Sequence, residues 1–389
     1  MGDRKFVIRK ICVPNINDAR NLLGPSCRKE RKWRSAVHFE KLVKGARSKL
    51  GIGEHDRAEN YMFADGPYPE GDRESLKRHF PIHLKSVVID SLSLSSGEIL
   101  DLSATYKDFP EAVPGVELYL SLKIGELTVA DGSTIRIRGN IAVLDVSRIS
   151  LSGKCMDILL EPEKDRPYRR GFYSGHIPKQ GTSGRNGQPG RLQQFGQPLL
   201  GSKAGVSASY LPASVGEMGG CGELGSPGGN GQMLPLADLR FGLLDIRPSG
   251  RIKIIARAGD GEQGGKGGKG GKGGKGGHGG SDIASAAYGF CKLGAAGGGG
   301  GPGGKGGRGG NSGLSSAVFI STPKKQAEYL ETISVAGKPG EGGEGGEGGE
   351  GGEGGEDWLN GSFAAAGAKG PCGSSGKQRP GPQYYIYQR

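Results

Sequence analysis

Few residues of this chain have the types and spacing for covalent chemistry. The six cysteines (Cys12, Cys27, Cys155, Cys221, Cys291 and Cys372) form no C-x-x-C pair, so no zinc or redox motif is visible. They read as scattered thiols rather than a disulfide framework. His79 and His83 are four apart, but Pro81 between them opposes the helix that would bring the rings together. His38, His55, His176 and His278 show no metal-ligand spacing. No Gly-Lys is followed by Ser or Thr at P-loop spacing, and G-x-G-x-x-G carries no information among 78 glycines. The Glu residues at every third place from Glu341 would stand ~9 Å apart on a three-residue extended helix, too far to chelate one cation. No cysteine has a nearby base to make it a nucleophile. The expectation is a non-enzymatic protein with no catalytic residue, no metal and no cofactor.

Two binding chemistries remain. Residues 26–49 carry nine Lys/Arg against Glu30 and Glu40, within a chain of net charge +12. Such a segment can meet nucleic acid, an anionic surface or an acidic partner. Its candidates are Arg28, Lys29, Arg31, Lys32 and Arg34, with Trp33 able to stack on a base. The plainer reading is a solvated basic helix. Gly307-Arg-Gly-Gly is a single arginine, not an RGG array. The second chemistry is aromatic: Phe195, Tyr210, Tyr288, Phe290, Trp358 and Phe363 lie in three segments between glycine-rich tracts.

The elements that must position these groups fall into three stretches. Residues 1–78 form a basic N-terminal region. Val37, Leu42, Val43, Ala46 and Leu50 suggest one short amphipathic helix there, and 51–72 reads as loop. Residues 79–170 read as strands with turn residues every 8 to 12 positions, a β-sandwich or a β-solenoid. Residues 171–389 hold most of the glycine. The start of the chain shows no apolar signal region, and no run approaches transmembrane length. The expectation is synthesis in the cytosol without a signal peptide, with the virion or the cytoplasm as destination.

In the last stretch glycine recurs at every third residue in six tracts. The first runs Gly181 to Gly190, the second Gly216 to Gly231, the third Gly259 to Gly280. The fourth runs Gly297 to Gly313, the fifth Gly337 to Glu356, the sixth Gly367 to Gly376. A flexible linker needs no phase. The simple backbone with three residues per turn and no internal hydrogen bonds is the polyproline-II helix, whose glycine edges let neighbours approach. Ordering glycine is entropically costly, so many inter-helix bonds must form together. The fold expected is therefore mainly β with a polyglycine-II helix bundle, a β-solenoid or sandwich base and a short helical basic N-terminal region. Tracts three, four and five show glycine on two edges and should be central.

Residues 239–257 and 317–335 read as β-hairpins between tracts, and 384–387 as a last strand. Hairpins then sit at one end of the bundle and aromatic loops at the other. A tract of about 17 residues would span ~50 Å, giving a rod with a β base and an aromatic tip. Aligning Ala258-Gly259 with Ala336-Gly337 sets Lys266, Lys269, Lys272 and Lys275 against Glu344, Glu347, Glu350 and Glu353, and His278 against Glu356. Tracts three and five should thus run parallel. The other reading is two separately solvated ladders.

Over residues 181–381 this alternation of period-three glycine tracts and exposed loops resembles the distal tail-fibre adhesins of T-even-like phages. The resemblance implies that the aromatic loops contact a cell-surface ligand while the N-terminal region docks on a larger assembly; otherwise the aromatics cap the bundle ends. The charged Gly-Gly-Lys and Gly-Gly-Glu ladders and the interleaved strands depart from that family. The chain is equally similar to collagen-like bacterial proteins with Gly-Gly-X repeats. It is less similar to glycine-helix antifreeze proteins, since charged ladders suit an ice face poorly.

Overall fold

A computed structural model describes residues 6–40, 53–66, 79–112, 116–163, 182, 185, 191–195, 207–279, 293–356 and 370–389. The protein is mainly β, built on parallel and mixed sheets with no barrel. The strands are β1 (Phe6–Val13), β2 (Ile82–Leu94), β3 (Ile99–Asp101), β4 (Leu118–Val129), β5 (Ser133–Arg138), β6 (Asn140–Leu151) and β7 (Cys155–Glu161). They continue with β8 (Arg191–Phe195), β9 (Ser207–Leu211), β10 (Ala237–Ile246), β11 (Arg251–Arg257), β12 (Ala317–Thr322), β13 (Leu330–Val335) and β14 (Gln383–Gln388).

From β2 onward the strands alternate between two sheets, apart from β8 and β9, which form a separate two-stranded sheet. The larger has the order β1-β2-β4-β6-β10-β12-β14 and the smaller β13-β11-β7-β5-β3. Each chain pass thus gives one strand to the larger sheet and the next to the smaller. All pairings are parallel except β1 with β2 and β8 with β9. The two hairpins expected over 239–257 and 317–335 are therefore not hairpins. Strands β10 and β11 face each other across the core, and each pairs sideways with the preceding and following pass. The short turn between them allows both arrangements; the apolar faces decide, because only the two-sheet arrangement buries Leu239, Phe241, Ile252 and Ile254 together. Both sheets also draw strands from more than one of the three stretches read from the sequence.

Register turns these passes into ladders. Val87, Leu122, Leu144, Leu239, Ile320 and Ile386 lie side by side across the larger sheet. All but Ile386 are fully buried between the sheets. In β4 and β6 the first five residues are buried on both faces, and alternation begins only beyond them. The reason is a helical cap over that half of the outer face.

The cap consists of α1 (Ile16–Leu23), α2 (Arg28–Arg34), a wider π-type turn (Ser35–Phe39) and α3 (Gly53–Phe63). Asn15 starts α1 by accepting the Asn17 and Asp18 amides on its side chain. Ile16, Leu23, Phe39, Met62 and Phe63 pack on Leu84, Tyr119, Val143 and Phe319 of the sheet. Two expectations fail here. Residues 51–72 include a helix, and the N-terminal region opens with a strand. The amphipathic helix expected through Leu42 to Leu50 extends outside the described residues.

Candidate functional site: the glycine array and its faces

The glycine tracts belong to no strand or helix, yet their backbones bond to one another at every third residue. Tract two donates to tract four: Gly219 to Gly299, Gly222 to Pro302, Gly225 to Lys305, Gly228 to Arg308. Tract three donates in the reverse sense to tract two, as Gly265 to Ser226, Gly268 to Glu223 and Gly271 to Gly220. It donates in the same sense to tract five, from Gly261 to Lys338 through Gly279 to Glu356. Tract four donates to tracts three and six, tract five to four, tract six to five, and tract two to Thr182 and Arg185 of tract one. Odd-numbered tracts run one way and even-numbered tracts the other.

Close approach explains why glycine is needed. A Cβ on Gly219 would collide with the Gly271 carbonyl, and one on Gly304 with the Glu223 carbonyl. Tract four bonds to tracts two, three, five and six and is the most enclosed. Among the described residues tracts three and five each bond to three neighbours, six to two and one to one, so tracts three, four and five are more enclosed than one and six, as expected. Tract two, expected at the periphery, departs, bonding to one, three and four. A carbonyl can face a neighbour where its own side chain does not, and glycine doubling therefore undercounts the contacts of tract two.

The array continues the register of the strands. Arg257 pairs with Val335 in the smaller sheet. The Ala258 amide then bonds the Val335 carbonyl, Gly261 that of Lys338 and Gly264 that of Glu341. The same holds from tracts two and four into β10 and β12, through the Leu234–Ser315 bridge. Lys266, Lys272 and Lys275 meet Glu344, Glu350 and Glu353 at 3.8, 3.6 and 2.6 Å. Lys269 and Glu347 occupy the intervening step. His278 Nδ1 accepts the Glu356 amide at 3.0 Å. Tracts three and five are thus parallel, in the register expected. A hydrogen bond and the charge of Glu353 hold the Lys275 ammonium above its ordinary pKa, and the same bond lowers the Glu353 carboxyl. On a different edge, Val215 just before tract two and Met218, Cys221 and Leu224 within it are exposed at intervals of three.

Where the sheets pass into the array, a cleft of 290 Å³ is lined by Glu161, Glu163, Arg257, Asp260 and Glu262 among others. Its carboxylates are occupied. Asp260 takes Arg257 and the Lys338 amide, both at 2.8 Å, and Glu262 takes the Gly229 amide at 3.1 Å. Among the described residues no group of three His, Cys, Asp or Glu side chains is placed to hold a metal ion.

The basic candidates do not form one surface. Arg34 is fully buried, bonded to Asp238 at 2.8 and 2.7 Å and to Glu30, with its guanidinium 4.8 Å from the Phe319 ring centre. Arg240 reaches the same carboxylate at 2.6 Å. Burial opposes the charge on Asp238, yet Arg240 and Arg34 hold its pKa down to about 2. Arg31 donates to the carbonyls of Pro25 and Ser26. Trp33 packs on Tyr387 at 5.4 Å. Arg28, Lys29 and Lys32 alone remain exposed. The signal for the buried half was the acid inside the basic run, Glu30, one turn before Arg34.

Of the aromatic candidates, Phe195 ends β8 and pairs with Ser207, while Tyr210 in β9 pairs with Leu192. That antiparallel pair lies between tracts one and two, where Ser214 bonds Gly277, at the end of the array away from the sheets. Tyr288, Phe290, Trp358 and Phe363 lie outside the described residues. Cys12, Cys27, Cys155, Cys221 and Cys372 are free thiols. Among the described residues no helix is long and apolar enough to cross a membrane. Comparison with protein-family models, with curated proteins and with solved structures gives no match to this chain.

Proposed function

We propose that the chain is a non-enzymatic structural and binding protein in which a β-solenoid base projects a rigid polyglycine-II bundle, whose far end presents loops for recognition. The observation that carries this reading is the unbroken period-three bonding between the tracts in the register of the strands. A linker has no cause to keep it. The base supplies the anchorage, since each pair of tracts leaves the smaller sheet and returns to the larger. The distal connections carry the aromatic candidates Phe195, Tyr210, Tyr288, Phe290, Trp358 and Phe363, and aromatic side chains are frequent binding anchors. A protein or cell-surface ligand would meet that end, as in an adhesin-like tip, while the N-terminal cap faces a larger assembly.

Hydrogen exchange on the tract amides of the whole chain tests the scaffold. Slow exchange through Gly264 to Gly276 and Gly298 to Gly310 is expected, and immediate exchange throughout would leave linkers. Exchanging the three distal loops for glycine-serine segments tests the recognition. Binding to a panel of cell surfaces should vanish with melting unchanged; binding that survives removes the adhesin role. Nucleic-acid or anionic-surface binding by the basic segment is the weaker reading, because Arg31, Trp33 and Arg34 are engaged within the fold.

A further inference from the structure

The two edges of the larger sheet are built differently. At one edge β1 presents Arg9 and Lys10 along with the exposed Val7 and Ile8. Charges of this kind discourage edge pairing. At the other edge β14 reads Gln-Tyr-Tyr-Ile-Tyr-Gln, with no charge and no proline within the strand. Among the described strands it pairs with β12 alone.

The open side of β14 is also held ready. The Arg389 amide bonds the Thr322 carbonyl, and the Arg389 carbonyl accepts from Lys324. By the alternation of a parallel pair, Tyr385 and Tyr387 turn their backbone groups the same way, and those of Tyr384, Ile386 and Gln388 face outward. Side chains fix the strand against fraying. The Tyr384 hydroxyl lies 2.8 and 2.7 Å from the carbonyls of Ile254 and Ile333, which share its one proton, and the Tyr387 ring packs tilted against Trp33. Ile386 is the last rung of the buried ladder from Val87 to Ile320, and 36% of it is exposed. Beside it Tyr329 and Leu330 cover the end of the core only in part.

We propose that β14 is a dimerisation edge, on which a second copy of this chain pairs antiparallel through its own β14. The geometry favours a copy over another strand. A two-fold axis at Ile386 sets Ile386 against its counterpart and Tyr384 against the Gln388 of the second copy, so outward backbone groups meet outward backbone groups. No charge within the strand opposes a like charge, whereas β1 paired with itself would oppose its own Arg9 and Lys10. Two-fold pairing closes after two chains. It also seals the open rung, and it points the two glycine arrays in opposite directions.

Sedimentation velocity on the full chain, across its soluble concentration range, tests this. The wild type should sediment as a dimer. Ile386→Lys should be a monomer with unchanged circular dichroism, and Val7→Lys on the opposite edge should remain a dimer. Gln388→Pro gives a second route, since it removes an outward amide and no bond to β12; it too should be a monomer. A wild type that is monomeric throughout overturns the proposal, as does a concentration-dependent series beyond two, which would mean β14 meeting β1. Dimers that persist in both Ile386→Lys and Gln388→Pro also overturn it.

Discussion

The β base and the glycine array keep one register by opposite means. In the base, neighbours stay aligned because side chains fill the space between sheets, as in the ladder of Leu122, Leu144, Leu239 and Ile320. In the array, neighbours stay aligned because side chains are missing. Gly265, Gly268 and Gly271 donate to tract two at 2.7 to 2.8 Å only because no Cβ stands between the chains. The base is specified by what its residues add and tolerates apolar exchanges of similar volume. The array is specified by what its residues lack, and it should accept almost any side chain on an outer edge and none on an inner one.

Breaking the base through its charge lock should have the largest effect. Arg34→Ala leaves Asp238 buried and without that partner, which should cost about 3–5 kcal/mol in urea unfolding followed by tryptophan fluorescence. Arg34→Met combined with Asp238→Leu should recover most of it. If array amides lose protection together with the base, the two regions form one cooperative unit; if they persist, the comparison sharpens into two.

Gly304→Ala attacks the other side. Its Cβ meets backbone rather than a movable side chain, so the cost should approach about 3 kcal/mol, the upper end for overpacking. The loss should appear as faster exchange in tracts two, three and four, with the unfolding midpoint of the base little changed.

Acid should then separate the regions more gently. Asp238 has a folded pKa depressed to about 2 from 3.8, so its contribution is complete above the unfolded value and fades as pH falls toward the folded one. Between pH ~4 and ~2 the base should lose about 2 kcal/mol, and Asp238→Asn should flatten that part of the profile.

The smallest effect belongs to the charged face. Replacing Lys266, Lys269, Lys272 and Lys275 by Gln should lower the melting temperature only slightly, and less in high salt, because the pairs are exposed. Reversing only the lysines to Glu should loosen tract five in hydrogen exchange. Reversing both ladders should restore it.

What was legible in the sequence follows the same division. The array could be read because its rule is local: a forbidden Cβ forces glycine at a fixed period, and Ala258-Gly259 and Ala336-Gly337 mark where register begins. The passes of the base could not be read so far. Pro248, Ser249 and Gly250 form a turn between two apolar strands, which suggests pairing, whereas the true neighbours of β10 are β6 and β12, far away in the chain. Arg34 was misplaced for a similar reason. It looked like one charge in a solvated run, but its partner Asp238 lies 204 residues on. The helix α3 carries Glu54, His55, Asp56 and Arg57 in its first turns, and its burial rests on Ala58, Met62 and Phe63 at one end. That is too short an apolar face to reveal its period.

The shared register also constrains how such a gene can change length. One residue gained or lost within tract three would carry every later lysine onto an edge where only glycine fits. Three residues would leave the phase intact and lengthen a tract by ~9 Å on the polyglycine-II reading. The tolerated mutational step is therefore a block of three codons, the unit that copying errors in a Gly-Gly-Lys or Gly-Gly-Glu repeat supply most readily. The length of the glycine array should vary among descendants of this chain in whole triplets, and in tracts three and five together.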